Sequence, residues 1–246
     1  MERYNYDKYY STVLDISARK EHAKYFSKYF FKCKKVLDIG CGDGTFLNEI
    51  IKNNSLAYGI ENGKEIIKKI DRDNIKIYEG DACSIWNKVN QNFDGIFCSH
   101  LIEHLKMEKV IDLIQGFSTK ITQGGKVVLV FPNPASIEMQ LFHFWNDPQH
   151  VRYYNYQFIG SVLEHYGFDL IEIYSKGAWG LDLDKKYTIF NDAIIGNNNK
   201  NLLKKIDRLK NRIKSFMSVS RYQKESNYME FMRSQGRELV IISRKQ

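Results

Sequence analysis

The run Lys35-Val36-Leu37-Asp38-Ile39-Gly40-Cys41-Gly42-Asp43-Gly44-Thr45 constrains this chain more than any other segment. An apolar, β-branched stretch ends in a carboxylate and then in glycines at alternate positions. Phe46, Leu47, Ile50 and Ile51 follow at the spacing of an amphipathic helix that faces a core. A strand, a glycine turn and a helix N-terminus bring main chain close to a bound ligand. Gly40, Gly42 and Gly44 carry no side chain to block that approach, and they reach backbone angles other residues avoid. Nucleotide, flavin and dinucleotide sites all use turns of this kind. Here the glycine spacing departs from the dinucleotide pattern, and no Gly-Lys-Ser/Thr ending stands ready to clamp a triphosphate.

Two further apolar runs also end in acids. Leu56-Ala57-Tyr58-Gly59-Ile60-Glu61 follows the glycine turn by about 20 residues. Ile75-Lys76-Ile77-Tyr78-Glu79-Gly80-Asp81 comes next, with Ala82 after it. Strands ending at Asp38, Glu61 and Asp81 place their carboxylates on one rim of a parallel sheet, where open α/β sheets bind ligands.

Strand and helix alternate along most of the chain. Strands are predicted at 35–40, 55–61, 75–81, 93–99, 126–131, 168–174 and 238–242, with helices at 44–53, 63–71, about 106–121 and 155–166. Short connections then imply a doubly wound, Rossmann-like α/β sheet with helices on both faces. Residues 4–31 are aromatic-rich and read as one or two helices before the first strand. Residues 132–154 open on Pro132-Asn133-Pro134 and read as a loop-rich rim. Within 178–236 a basic amphipathic helix near 200–216 carries Leu202, Leu203, Ile206, Leu209, Ile213 and Phe216 on one stripe. No linker divides the chain. We expect one domain over 1–246: an N-terminal helical segment (1–33), a core (34–176), a helical insertion (177–236) and a last strand (237–246).

No run is long enough to span a membrane as a helix, and the first residues lack the apolar core of a signal peptide, so a cytoplasmic protein is expected. Four cysteines without Cys-x-x-Cys spacing are expected to be reduced and mostly buried. The net charge of +8 suits an acidic partner such as nucleic acid, anionic lipid or a phosphorylated metabolite, and equally suits a lysine-rich surface that only solvates.

The spacing Asp-x-Gly-x-Gly-x-Gly, with Glu61 and Gly80-Asp81-Ala82 downstream, resembles the class I S-adenosylmethionine-dependent methyltransferases. That resemblance implies a seven-stranded sheet, mostly parallel, with an antiparallel last strand. It also implies S-adenosylmethionine as cofactor and S-adenosylhomocysteine as product. Gly40, Gly42 and Gly44 would pass along the amino-acid part of the cofactor and Asp38 would hold its ammonium group. Glu61 would accept the ribose hydroxyls, Asp81 and Ala82 would meet the adenine, and Ser99 would close the site at the fourth strand. The N-terminal helices would act as a lid.

After Ser99 comes His100-Leu101-Ile102-Glu103-His104-Leu105. If a helix opens here, His100, Glu103 and His104 share a face at i, i+3 and i+4. Such a cluster suits either a metal site or a general base with its orienting partner. The segment resembles that of methyltransferases acting on sugars, quinones and RNA ends. In some relatives an acid-x-x-Glu-His version plus a later histidine binds a divalent metal. The corresponding set here is His100, Glu103, His104 and His150, with His100 where those relatives carry an acid, and Mg or Mn as the ion. Residues Asp147-Pro148-Gln149-His150-Val151-Arg152-Tyr153-Tyr154 resemble a segment of bacterial sugar and surface-polysaccharide methyltransferases. His150 would take the acceptor's proton, Arg152 would pair with a phosphate, and Trp145, Tyr153 and Tyr154 would stack on the acceptor.

The residues after the fourth strand, Ser99-His100-Leu101-Ile102, lack an amide- or adenine-methylation motif, so oxygen is the favoured acceptor atom. The expected function is O-methylation of a small-molecule or glycan acceptor in surface-polysaccharide assembly, with His104, His150 and Glu103 at the chemistry. An RNA acceptor is the second reading, and a non-catalytic binding module the third. The basic helix near 200–216 would pack on the core or form a homodimer.

Overall fold

The computed structural model describes residues 16–71, 73–176, 187–188 and 236–246. The apolar runs form one mixed sheet. Strands β1 (Lys35–Ile39), β2 (Leu56–Glu61), β3 (Ile75–Glu79), β4 (Phe93–Ser99) and β5 (Ile121–Pro132) pair in parallel. β6 (Phe168–Lys176) and β8 (Glu238–Lys245) complete the long strands, and β7 (Tyr187–Thr188) adds two residues at an edge. The order is β3-β2-β1-β4-β5-β8-β6-β7, with β8 antiparallel to both β5 and β6. The Rossmann-like fold and its antiparallel last strand are as expected.

Alternating side chains on the central strands feed two apolar layers, one on each face. Val36, Phe97, Val128 and Val240 point to the layer that takes Phe26 and Phe30, together with Phe46, Leu47 and Ile50. That layer is covered by α1 (Ile16–Ser27) and α2 (Thr45–Lys52). Leu37, Ile39, Ile96, Leu129 and Ile241 point to the other. There α4 (Met107–Lys120) inserts Val110, Leu113, Ile114 and Phe117, and α5 (Tyr156–His165) inserts Ile159 and Leu163. Asn155 starts α5 by accepting the Phe158 amide on its side-chain oxygen at 2.8 Å.

Several boundaries differ from the sequence reading. The helix expected at 63–71 is one turn, α3 (Lys64–Ile67), after which the chain tightens to i→i+3 bonds. β5 begins at Ile121 rather than Lys126, passing through Gly124 at φ +73° with a register irregularity opposite Phe93 and Gly95. No helix opens at His100. The His100 amide still bonds the Val130 carbonyl at 2.9 Å, its φ is +50°, and the next helix waits until Met107. Residues 139–146 are a π turn (Met139–His143) and a 3-10 turn (Phe144–Asn146) rather than irregular loop. The four cysteines are free, and Cys41, Cys83 and Cys98 are buried. Among the described residues no helix is long and apolar enough to cross a membrane. The first 15 positions and the basic helix near 200–216 lie outside the described residues.

Candidate active site

The carboxyl ends of β1, β2 and β4 meet at the glycine turn. Gly40, Gly42 and Gly44 all take left-handed backbone, at φ +70°, +53° and +78°. A Cβ on Gly40 would come 3.4 Å from Leu101, and one on Gly44 3.2 Å from Ile70. A Cβ on Gly42 would meet nothing within 4 Å, so this glycine borders open space. Its amide donates to Glu61 Oε2 at 3.0 Å, while Glu61 Oε1 accepts from Asn62 and Gly63 at 2.9 and 2.8 Å. A carboxylate offers about four lone-pair sites, so accepting two ribose hydroxyls requires Glu61 to release one of these amides.

Asp38 is 4% exposed and has no hydrogen-bond or ion-pair partner among the described residues. Burial, and then the charges of Glu61 and Asp43, push its carboxyl well above the usual carboxylate range. A buried acid in that state lacks a cation. The adjoining cleft of about 120 Å³ is lined by Arg19, His22, Asp38, Gly40, Ser99 and His100, among others. Ser99 Oγ is buried and unbonded. An amino-acid moiety with an ammonium group for Asp38 and space beside Gly42 therefore fits the residues present. Asp43 closes the mouth by accepting the Thr45 amide and hydroxyl and pairing with Arg19 at 2.7 Å. Asp81 is exposed on the neighbouring rim, where Oδ1 accepts the Cys83 amide at 2.9 Å, and Ala82 packs half-buried against the core.

The second half of the site lies past β4. Glu103 is 1% exposed in a 3-10 turn, Ile102–His104, and its Oε2 is buried without a partner. Donor atoms of Glu103, His104 and His150 lie within 4.8 Å of one another. The rings of His104 and His150 are 4.8 Å apart, and His104 Nδ1 is buried and unbonded. His150 Nδ1 donates to the Phe144 carbonyl at 2.6 Å, which leaves Nε2 as the acceptor nitrogen of the neutral ring. Burial lowers its pKa, opposed in part by that hydrogen bond, which favours the neutral ring.

His100 is not brought into this group. Its left-handed backbone turns the ring toward the cofactor cleft, with Nδ1 3.1 Å from Glu103 Oε1 and Nε2 3.1 Å from Glu238 Oε1. Burial pulls the His100 pKa down, but hydrogen bonds and charge from both carboxylates outweigh it and hold the pKa up at about 10. The four-ligand arrangement read from the sequence therefore divides in two: His22, His100 and Glu238 on one side, Glu103, His104 and His150 on the other. His22, Lys176 and Glu238 escape the sequence reading, because no local pattern joins a first helix to two distant strands.

The residues expected at the acceptor also separate. Trp145 is 65% exposed and Arg152 is exposed, both at the rim. Tyr153 stacks on Phe144 with ring centres 3.7 Å apart, and burial raises its hydroxyl pKa to about 12. Tyr154 is buried, and its hydroxyl donates to the Leu105 carbonyl at 2.7 Å. The structure thus places Tyr154 in the core, with the Arg152 guanidinium 5.2 Å from its ring centre.

Comparison with known proteins identifies the family and the fold. The family described as "Methyltransferase domain" matches residues 6–173. A probable cobalt-precorrin-6B C(15)-methyltransferase (decarboxylating) from Saccharolobus solfataricus is 31% identical over 109 residues, covering 40% of this chain and 52% of that protein. A ubiquinone biosynthesis O-methyltransferase from Coxiella burnetii is 29% identical over 101 residues, covering 39% and 42%. The chain thus spans about half the length of these curated relatives. A SAM-dependent methyltransferase from Archaeoglobus fulgidus superposes with a TM-score of 0.70 at 22% identity, over 98% of this chain and 100% of that one. Magnesium protoporphyrin IX methyltransferase from Synechocystis PCC 6803, solved with bound SAH, gives 0.59 at 9% identity, over 98% and 94%. This chain belongs to the methyltransferase domain family and has the fold of the S-adenosylmethionine-dependent enzymes.

Proposed function

We propose that the protein transfers a methyl group from S-adenosylmethionine to a hydroxyl oxygen of a small-molecule or carbohydrate-like acceptor, of the kind used in surface-polysaccharide assembly. When bound, that cofactor supplies a methyl group already activated on a sulfonium. Asp38 holds the ammonium end, the Gly40–Gly44 turn lies along the amino-acid part, and Glu61 takes the ribose. What remains for the chain is to orient the acceptor and remove its proton. The observation that carries the reading is the His104–His150 pair, with His150 Nε2 left as the acceptor nitrogen by the Phe144 hydrogen bond and 3.8 Å from Asp147 Oδ2. His150 receives the proton, His104 and Glu103 flank it, and Trp145 and Arg152 offer an aromatic face and a cation at the rim. The Coxiella relative's name gives an oxygen acceptor, which supports the same atom.

Incubation with labelled cofactor and a panel of nucleotide sugars, glycans, phenols and RNA tests this. Label on a sugar or phenol oxygen is expected; label only on carbon or only on RNA contradicts it. His150→Ala should lower kcat about a hundredfold or more, the scale of a general base, with donor affinity unchanged.

Two observations favour variants of this reading. The buried, unbonded Glu103 Oε2 and His104 Nδ1 beside His150 also suit a divalent cation such as Mg or Mn, which would lower the acceptor's pKa directly. Chelator-sensitive turnover restored by Mg or Mn would establish that variant. A cleft of about 900 Å³ at the opposite end of the sheet is lined by Lys28, Lys32, Lys126 and Arg244, and would give RNA, the alternative acceptor, a basic contact away from the donor site. RNA binding that falls steeply with salt would support that alternative.

A further inference from the structure

One carboxylate distant from the active site in sequence touches three elements around it. Glu238, the first residue of β8, is 1% exposed. Its Oε1 lies 3.1 Å from His100 Nε2 and 3.1 Å from His22 Nε2, and its Oε2 accepts from Lys176 Nζ at 3.0 Å. His22 belongs to α1, Lys176 ends β6, and His100 sits in the turn after β4. Lys176 is itself 1% exposed, and its ammonium lies 4.8 and 4.9 Å from the ring centres of Tyr25 and Phe26.

His100 has one ring nitrogen on Glu238 and the other on Glu103, each at 3.1 Å. A ring that hydrogen-bonds a carboxylate at both nitrogens donates from both, and only the imidazolium does so. Lys176, Glu238, His100 and Glu103 therefore alternate in charge. In a buried chain of this kind, removing one member leaves its neighbour uncompensated. The chain ends at Glu103, a carboxylate oxygen of which lies within 4.8 Å of ring nitrogens of His104 and His150. Its hinge is His100 at φ +50°, a region that costs energy for a residue with a Cβ and persists only when its surroundings enforce it. The two carboxylates gripping the ring supply that enforcement.

We propose that Glu238 is a positioning residue for methyl transfer: through His100 it sets the carboxylate of Glu103, and through Glu103 the His104–His150 pair. This rests on the reading of that pair as the proton-accepting group. The last strand would then fix the geometry of the chemistry.

The test combines ring-nitrogen NMR of the histidines, at one fixed neutral pH, with steady-state kinetics on wild type and Glu238→Gln. Wild type should show both ring nitrogens of His100 in hydrogen bonds. In Glu238→Gln that pattern should be lost and the ring signals of His104 and His150 should move. The kcat should fall about tenfold or more while donor affinity and acceptor KM stay within about twofold, the signature of lost alignment rather than lost binding. Glu238→Asp should recover part of the rate. If Glu238→Gln does not fold, the double variant Lys176→Met with Glu238→Gln removes both charges together and is read by the same spectra. Unmoved His104 and His150 signals, or a His100 ring in wild type with either nitrogen outside a hydrogen bond, overturn the proposal. Wild type that methylates no hydroxyl, with ring signals that nonetheless respond to Glu238→Gln, defeats the acceptor reading and leaves the positioning link standing.

Discussion

Asp38 and Glu61 illustrate two ways in which a strand-end acid becomes available to a ligand. Asp38 is buried and lacks a cation, so a ligand ammonium relieves a cost the free protein bears. Its raised pKa sets a pH dependence. The ligand pairs with the carboxylate form and lowers its pKa, so donor affinity is full above the raised free-state value and falls as pH drops through it. The loss should begin at a higher pH than an ordinary carboxylate would give. Calorimetric titration across pH checks this, and Asp38→Asn should abolish the acid-side slope along with most of the affinity. Glu61 is instead held by three backbone amides. Glu61→Ala should weaken donor binding about tenfold or more, both through the lost acceptor and through a loosened glycine turn. Gly59, on β2, offers a stability test. A Cβ there would meet Cys41 Sγ at 2.5 Å and Ile77 Cδ1 at 2.7 Å, so Gly59→Ala should cost about 1–3 kcal/mol in thermal unfolding.

At the scale of elements, the turn after β4 separates what local pattern can show from what it cannot. The donor half of the site is legible in sequence because each part is local: alternate glycines after an apolar run, and acids at the ends of apolar strands. Helical spacing at His100, Glu103 and His104 misleads, because the backbone at His100 turns left-handed and keeps its sheet hydrogen bond instead. The link from Glu238 spans 138 residues to His100 and 62 to Lys176, beyond the reach of any periodicity. An aromatic run such as Tyr153-Tyr154 is likewise ambiguous, since adjacent residues point to different sides. Tyr154 is buried against Leu105, whereas Trp145 is exposed. Tyr154→Phe should therefore cost about 1 kcal/mol of stability with acceptor KM unchanged. Trp145→Ala should leave stability within about 0.5 kcal/mol and raise acceptor KM. Thermal melts and initial-rate kinetics on the same preparations separate the two.

At the scale of the molecule, a sheet whose central strands are buried on both faces places the glycine turn, its acids and the histidines at one end of its strands. The glycine turn and Glu61 come from the first two strands. His104 follows the fourth strand and His150 the fifth, and β8 threads back between β5 and β6 to deliver Glu238 to the same end. The order of the strands thus brings donor cleft, acceptor group and charged support together from residues 22 to 238. Donor at a hundred times its Kd should stabilise the fold by about 2.7 kcal/mol, visible as a raised melting temperature. The most direct measurement is calorimetry of the purified, folded chain with S-adenosylmethionine and S-adenosylhomocysteine. We expect saturable binding of both at one site per chain, weakened by Glu61→Ala. Uptake of neither, or affinity unchanged by Glu61→Ala, would contradict the assignment of the glycine turn and its acids to that cofactor.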